Sequence, residues 1–269
     1  MNEDNLEFNS ILPYLKTKYV GRTYAYYENI DSTNTEAKRL IRTKENIENG
    51  SIIISETQYS GVGKLNRAWY SPPKVGLWFS IILNLNSIKA EISKITLLTG
   101  AAVCSALRNL NINAKIKWPN DIYLNDEKLG GILCERVFSK AKNDYVIIGI
   151  GLNVNTREEN FPEELKDYAT SIFIQQGIEF SRIKILCEIL NTFENYINTL
   201  NESHSYNEII GINRLYSNVL NKSVNVIVPN SSSYKAFVLD ISDNGELITI
   251  DQKGNVNYLI SNEVSIRIN

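Results

Sequence analysis

Four short strings hold most of the polar chemistry in this chain: residues 31–36 (Asp-Ser-Thr-Asn-Thr-Glu), 58–69, 117–121 with 128–131, and 149–155. In the second, Gly61 and Gly63 let the backbone approach an anion closely. Lys64 and Arg67 bring positive charge to the same loop, and Trp69 is placed to anchor it or cover a ring. The spacing fits neither a phosphate-binding P-loop nor a dinucleotide fingerprint, and a flexible surface turn is the plainer alternative. In the third, Pro119 drives Trp118 out of the helical region, so a strand ends sharply with Lys117, Asn120 and Asp121 crowded at its end. In the fourth, the small residues around Ile150 permit close backbone approach within a buried strand, as would simple packing against a helix. The first string fits a helix start, because Thr33 and Glu36 match the Ser/Thr-x-x-Glu capping box. That leaves Ser32 and Asn34 free to face a ligand.

One count excludes much else. The chain has a single histidine, His204, flanked by serines near a helix start. Serine- or cysteine-histidine catalysis needs a positioned imidazole, and zinc sites need clustered His or Cys. Neither can be assembled here, so no metal centre is expected. Chemistry must run on Lys, Arg, carboxylates, amides and backbone. The three cysteines, Cys104, Cys134 and Cys187, lie far apart in apolar surroundings, which suits buried thiols in a reducing compartment, the cytoplasm. The net charge of −2 gives no global basic field for nucleic acid or membrane. The acidic, polar start lacks the pattern of a secretory leader, and the longest apolar runs, such as 76–85, are strand-length.

The elements that must position these strings alternate in type. Strand signals fall at 24–30, 51–55, 77–85, 114–118, 131–138 and 145–154, with turn chemistry at Asn125-Asp126 and Lys142-Asn143. Helical spacing appears at 6–17, interrupted near Pro13, and at 35–43, 92–110, 182–200 and 206–216. From Lys222 onward come five short β-branched runs, 224–228, 236–241, 247–250, 256–260 and 264–268. Turns at Asn230-Ser231, Asn244-Gly245 and Lys253-Gly254 separate them. The expected fold is α+β: a mixed sheet with flanking helices over residues 1–217, then a small SH3-like barrel over 218–269.

Taken in order, the strings form a combination: Ser-Thr-Asn, a Gln58 loop with Gly-x-Gly ending in Arg-x-Trp, Lys-Trp-Pro-Asn-Asp, Lys-Leu-x-Gly-Ile-Leu, and Gly-x-Gly-x-Asn-x-Asn. This combination resembles the biotin–protein ligases over about residues 20–269. The resemblance implies a catalytic domain like that of class II aminoacyl-tRNA synthetases, with biotin and ATP as substrates. Mg²⁺ is expected to arrive with ATP. The partner it implies is a biotin carboxyl carrier protein or biotin-dependent carboxylase, with a homodimer as a further possibility through an edge at 132–137. The chain begins almost at the catalytic domain, so the DNA-binding helix-turn-helix of the repressor members, and with it nucleic-acid binding, is expected to be absent.

Carried over by position, the catalytic group would be Lys128, Asp121, Lys64 and Arg67. Biotin contacts would come from Ser32, Thr33, Asn34, Gln58, Gly61, Val62, Gly63, Lys64, Lys128 and Gly131. ATP would meet Arg67, Trp69, Lys117, Asn120, Asp121, Asn153 and Arg267. The loop departs from the family's usual Gly-Arg-Gly-Arg-x-Gly-Arg, since Val62, Lys64 and Asn66 replace Arg, Arg and Gly. Lysine keeps the charge but loses the planar fork, whereas Asn tolerates positive φ, so the loop's shape is expected to survive. Two other readings remain open at this level: a lipoate or octanoate ligase of the same fold, and a non-catalytic biotin sensor.

Overall fold

The computed structural model describes residues 4–44, 46–88, 91–228, 233–261 and 264–268. Seven strands form one sheet: β1 (Tyr24–Ile30), β2 (Ser51–Gln58), β3 (Gly76–Asn84), β4 (Lys115–Lys117), β5 (Asp121–Leu124), β6 (Glu127–Phe138) and β7 (Asp144–Asn153). Their spatial order is β1-β2-β3-β7-β6-β5-β4, with β1 and β2 parallel and every other pair antiparallel. The sheet is therefore mixed, as expected.

Alternation of side chains divides the apolar residues between the two faces. Ile53, Ile82 and Ile147 pack with Ala37 and Ile41 of α2 (Thr33–Thr43), after the short α1 (Phe8–Ile11). Ile52, Ile54, Ile81 and Ile148 point the other way, into the main core. That core is completed by α3 (Ile92–Asn109), α5 (Arg182–Ser203) and α6 (Asn207–Leu215), with α4 (Ile172–Gln176) before α5. Cover on both faces explains why β3 reads as a nearly continuous apolar run rather than an alternating one, and why Ile52, Ile53 and Ile54 of β2 are all buried.

The C-terminal part is a second, five-stranded antiparallel sheet in the order β11-β10-β9-β8-β12. It comprises β8 (Ser223–Ile227), β9 (Tyr234–Ile241), β10 (Leu247–Asp251), β11 (Val256–Leu259) and β12 (Ser265–Ile268). Gly245 and Gly254 take φ of 86° and 84° at two of the expected turns. The Asn230-Ser231 turn lies outside the described residues. Trp118 Nε1 donates to Gly245 O at 3.0 Å, which ties this sheet to the end of the first, and Arg214 of α6 pairs with Asp240 at 2.9 Å.

Three expectations need correction. Strand β5 was not foreseen: four residues between a proline turn and Asn125-Asp126 are too short to show periodicity, and pairing to β6 makes the strand. The Asn125-Asp126 turn itself forms, with φ of 48° and 66°. The short α4 also went unread. The capping box does not form: Ser32 is the N-cap of α2 without a side-chain cap bond, and the Thr33 hydroxyl turns inward instead.

Candidate active site

The strings meet at one end of the first sheet. Only Asp31 separates Ser32 from the end of β1, and Gln58 ends β2, which pairs with β1 through Ile30 and Gln58. The loop that follows is a short antiparallel ribbon. Trp69 N donates to Gly61 O and Gly63 N to Arg67 O, each at 2.8 Å, with Val62 opposite Ala68. At its tip Leu65 and Asn66 take φ of 59° and 57°, so Asn66 does supply the positive φ that a glycine would. Leu65 adopting it too was not foreseen.

Around this ribbon lies a cleft of about 320 Å³. Of the residues expected to act, Ser32, Thr33, Asn34, Gln58, Val62, Gly63, Lys64, Arg67, Trp69, Lys117, Asn120, Asp121, Lys128, Gly131, Asn153 and Arg267 all line it. Gly61 does not; it sits at the foot of the ribbon, where a Cβ would come within 2.6 Å of Trp69 O. Sequence reading missed Phe161, Leu165 and Tyr168, which follow β7 in short turns and carry no motif. In the sequence Gly151 signals only a close backbone approach. A Cβ there would overlap the Trp69 indole, so the glycine is the floor on which Trp69 lies.

The backbone of Lys128 is fixed on both sides: its N donates to Tyr168 O at 2.8 Å and its O accepts from Thr170 N at 2.9 Å. Its ammonium lies 2.7 Å from Asp121 Oδ1 and 5.5 Å from the centre of the Trp69 ring. Lys117 reaches the other Asp121 oxygen at 3.7 Å. Burial pulls the Lys117 ammonium below the ordinary lysine value, and Asp121 opposes that pull. Asn120 donates to Ile132 O at 3.0 Å and Asn153 to Thr170 O at 2.9 Å, which locks both amides in place.

Two residues sit differently from the simplest expectation. Asn34 is not free: it accepts from Ser80 at 2.6 Å and donates to Glu135 at 2.9 Å. Lys64 lines the cleft, but its ammonium donates to Ser261 O at 2.7 Å and Val264 O at 3.3 Å, main-chain carbonyls beside β12. Burial there lowers its pKa.

The electrostatic sum is lopsided. Five cationic side chains, Lys64, Arg67, Lys117, Lys128 and Arg267, line the cleft against one carboxylate, Asp121. In a chain of net charge −2, that local excess suits a polyanion. Among the described residues no cluster of His, Cys, Asp or Glu could hold a metal ion, and no helix is long and apolar enough to cross a membrane.

Comparison with known proteins shows the family. Residues 26–153 match the Biotin/lipoate A/B protein ligase family. The Bifunctional ligase/repressor BirA of Bacillus spizizenii is 32% identical over 241 residues, covering 89% of this chain and 73% of that protein. The Biotin–[acetyl-CoA-carboxylase] ligase of Mycobacterium tuberculosis is 26% identical over 220 residues, 80% of this chain and 79% of that one. Among solved structures, the biotin protein ligase from Aquifex aeolicus in complex with biotin and ATP superposes with a TM-score of 0.79 at 29% identity. It covers 92% of this chain and 100% of its own. The chain belongs to the biotin/lipoate protein ligase family and is an enzyme of the ligase class. Within that family its relatives are biotin protein ligases, and the second sheet fits the SH3-like domain expected at the C-terminus.

Proposed function

We propose that this enzyme joins the carboxylate of biotin to the α-phosphate of ATP, releasing pyrophosphate, and then passes the biotinyl group to a lysine amine of a carrier protein, releasing AMP. The carrier is a biotin carboxyl carrier protein or the equivalent domain of a carboxylase, and the setting is the cytoplasm. One observation carries the reading: a polar pocket of the buried Ser32 and Thr33 with the half-buried Gln58 opens into the same cleft as the five cations, with Lys128 among them.

The first step brings two anions together. At 4 Å their repulsion is on the order of 4 kcal/mol for an effective dielectric of 20. Preplaced cations and amides offset it without a covalent enzyme intermediate. In this reading Ser32, Thr33 and Gln58 hold the ureido ring, with Asn34 behind them. The ribbon of Gly61, Val62, Gly63 and Lys64, together with Gly131, encloses biotin and the adenylate. Lys128 meets the carboxyl and phosphoryl oxygens. Arg67, Lys117, Asn120, Asn153 and Arg267 face the nucleotide, with Trp69 on its adenine side. Asp121 holds Lys128 and receives the incoming lysine. Asp121 already pairs with two ammonium groups, so Mg²⁺ would travel on the phosphate oxygens. The work divides between residues 1–217, which carry the chemistry, and 218–269, which supply Arg267.

Beyond Ile132, whose backbone N and O are both taken by Asn120, β6 pairs with β7 alone among the strands, and we propose that this edge takes a carrier or a second copy. Incubation with ATP, labelled biotin and a carrier domain should yield pyrophosphate and a labelled lysine. Lipoate or octanoate in place of biotin should yield neither. ATP consumption with lipoate alone would overturn the reading in favour of the sister activity.

A further inference from the structure

Behind the ureido pocket runs a chain of hydrogen bonds that reaches an acidic side chain outside the cleft. Glu135, on β6, accepts from Lys38 Nζ at 2.7 Å through one oxygen and from Asn34 Nδ2 at 2.9 Å through the other. Asn34 Oδ1 contacts Ser80 Oγ at 2.6 Å, and Ser80 Oγ contacts Thr33 Oγ1 at 2.7 Å. Asn34, Ser80 and Thr33 are buried, whereas Glu135 is part-exposed. The Asn34 amide lies over Gly149, where a Cβ would overlap it. The site is thus built to admit that amide.

Proton counting gives the chain a direction. An ionised carboxylate only accepts, so Glu135 forces Asn34 to present its NH₂ to it and its oxygen to Ser80. Ser80 must then donate its single proton to that oxygen, and it becomes an acceptor for the Thr33 hydroxyl. Gln58 Oε1, which accepts from Thr33 N at 2.9 Å, has a second lone pair 3.2 Å from the hydroxyl, a longer contact than Ser80 makes, and it too faces the Thr33 proton away from the cleft. Thr33 Oγ1 therefore turns lone pairs, not a proton, toward the cleft.

From this geometry we infer that Glu135 is a positioning residue: through Asn34 and Ser80 it sets the Thr33 hydroxyl as an acceptor, so that the pocket selects a ring N–H over a ring oxygen. The inference rests on the proposal that the pocket takes the ureido ring. Without Glu135 only the long 3.4 Å bond from Asn34 Nδ2 to Leu133 O opposes a flip of the amide; once flipped, the relay reverses and Thr33 can donate as well as accept.

The test compares biotin with its two cyclic carbamate analogues, each carrying oxygen in place of one ureido N–H, in pyrophosphate release by the full-length chain. Wild type should favour biotin over one of them by roughly tenfold or more in kcat/KM, the effect of one oriented hydrogen bond. Glu135→Ala should bring that ratio near one while KM for ATP holds. Glu135→Gln, which keeps an acceptor, should retain most of it. Ser80→Ala breaks the same relay by removing one buried atom, and it should lose the ratio as Glu135→Ala does. If Glu135→Ala and Ser80→Ala keep the wild-type preference, or weaken biotin and the carbamates equally, Glu135 sets no direction and the inference falls. It falls too if active wild type shows no preference. Wild type that makes no adenylate from biotin at all would instead overturn the functional reading itself.

Discussion

The ammonium of Lys64 donates to the carbonyl of Ser261 at 2.7 Å, which fastens the tip of the glycine ribbon to the second sheet, 197 positions away in the chain. A second bond, to Val264 O at 3.3 Å, strengthens this tether.

Replacing Lys64 with alanine should free the ribbon. A hydrogen bond from a charged donor is worth about 1.5–3 kcal/mol, so biotinyl-adenylate should leave about tenfold faster in a rapid-dilution measurement. Lys64→Arg, with more donors for the same carbonyls, should release it more slowly than wild type. Equal rates in all three would show that the tether does not control release.

Lys128→Ala should cut adenylate formation by about 10²–10³-fold, the usual cost of removing a preorganised donor at developing charge. Its side chain is 29% exposed, so the melting temperature should hardly move. Pyrophosphate release is the measurement, and Lys128→Arg should recover part of the rate. Unchanged adenylate synthesis in the alanine variant would remove the centre of the proposed mechanism.

The buried Lys117 ammonium gives a pH prediction. Burial holds its pKa below the ordinary 10.5, so its charge is lost as pH rises through that lowered value. KM for ATP should therefore climb on the alkaline side before pH 10.5. Asp121 raises the Lys117 pKa, so Asp121→Asn should move the climb to lower pH. Lys117→Arg should move it to higher pH, because guanidinium stays charged. A climb at the same pH in all three proteins would exclude Lys117 as its source.

Gly151→Ala places a methyl group where the Trp69 indole lies. Overpacking of this kind costs about 1–3 kcal/mol, or a fall in Tm of several degrees at about 2–4 °C per kcal/mol. Trp69 should be pushed toward the cleft, with a change in tryptophan fluorescence and a higher KM for ATP. A variant that melts and emits like wild type would show that the indole does not depend on this glycine.

The alternation and helical spacing of apolar residues determined the strands and helices of this protein, because burying one face against a neighbour imposes periods of 2 and 3.6. The excess of Lys, Arg and amides over any usable histidine pointed to the kind of chemistry, and four strings in order held most of the cleft's polar lining, though not Phe161, Leu165 or Tyr168. Only tertiary structure decided the rest. Strand β5 exists because β6 pairs with it, and Thr33 turns from a local cap to Ser80 because β3 stands behind it. Lys64 meets Ser261, and Glu135 meets Asn34, across 197 and 101 positions. Local spacing carries no record of such pairs, since a hydrogen bond depends on a few ångströms in space and not on distance along the chain.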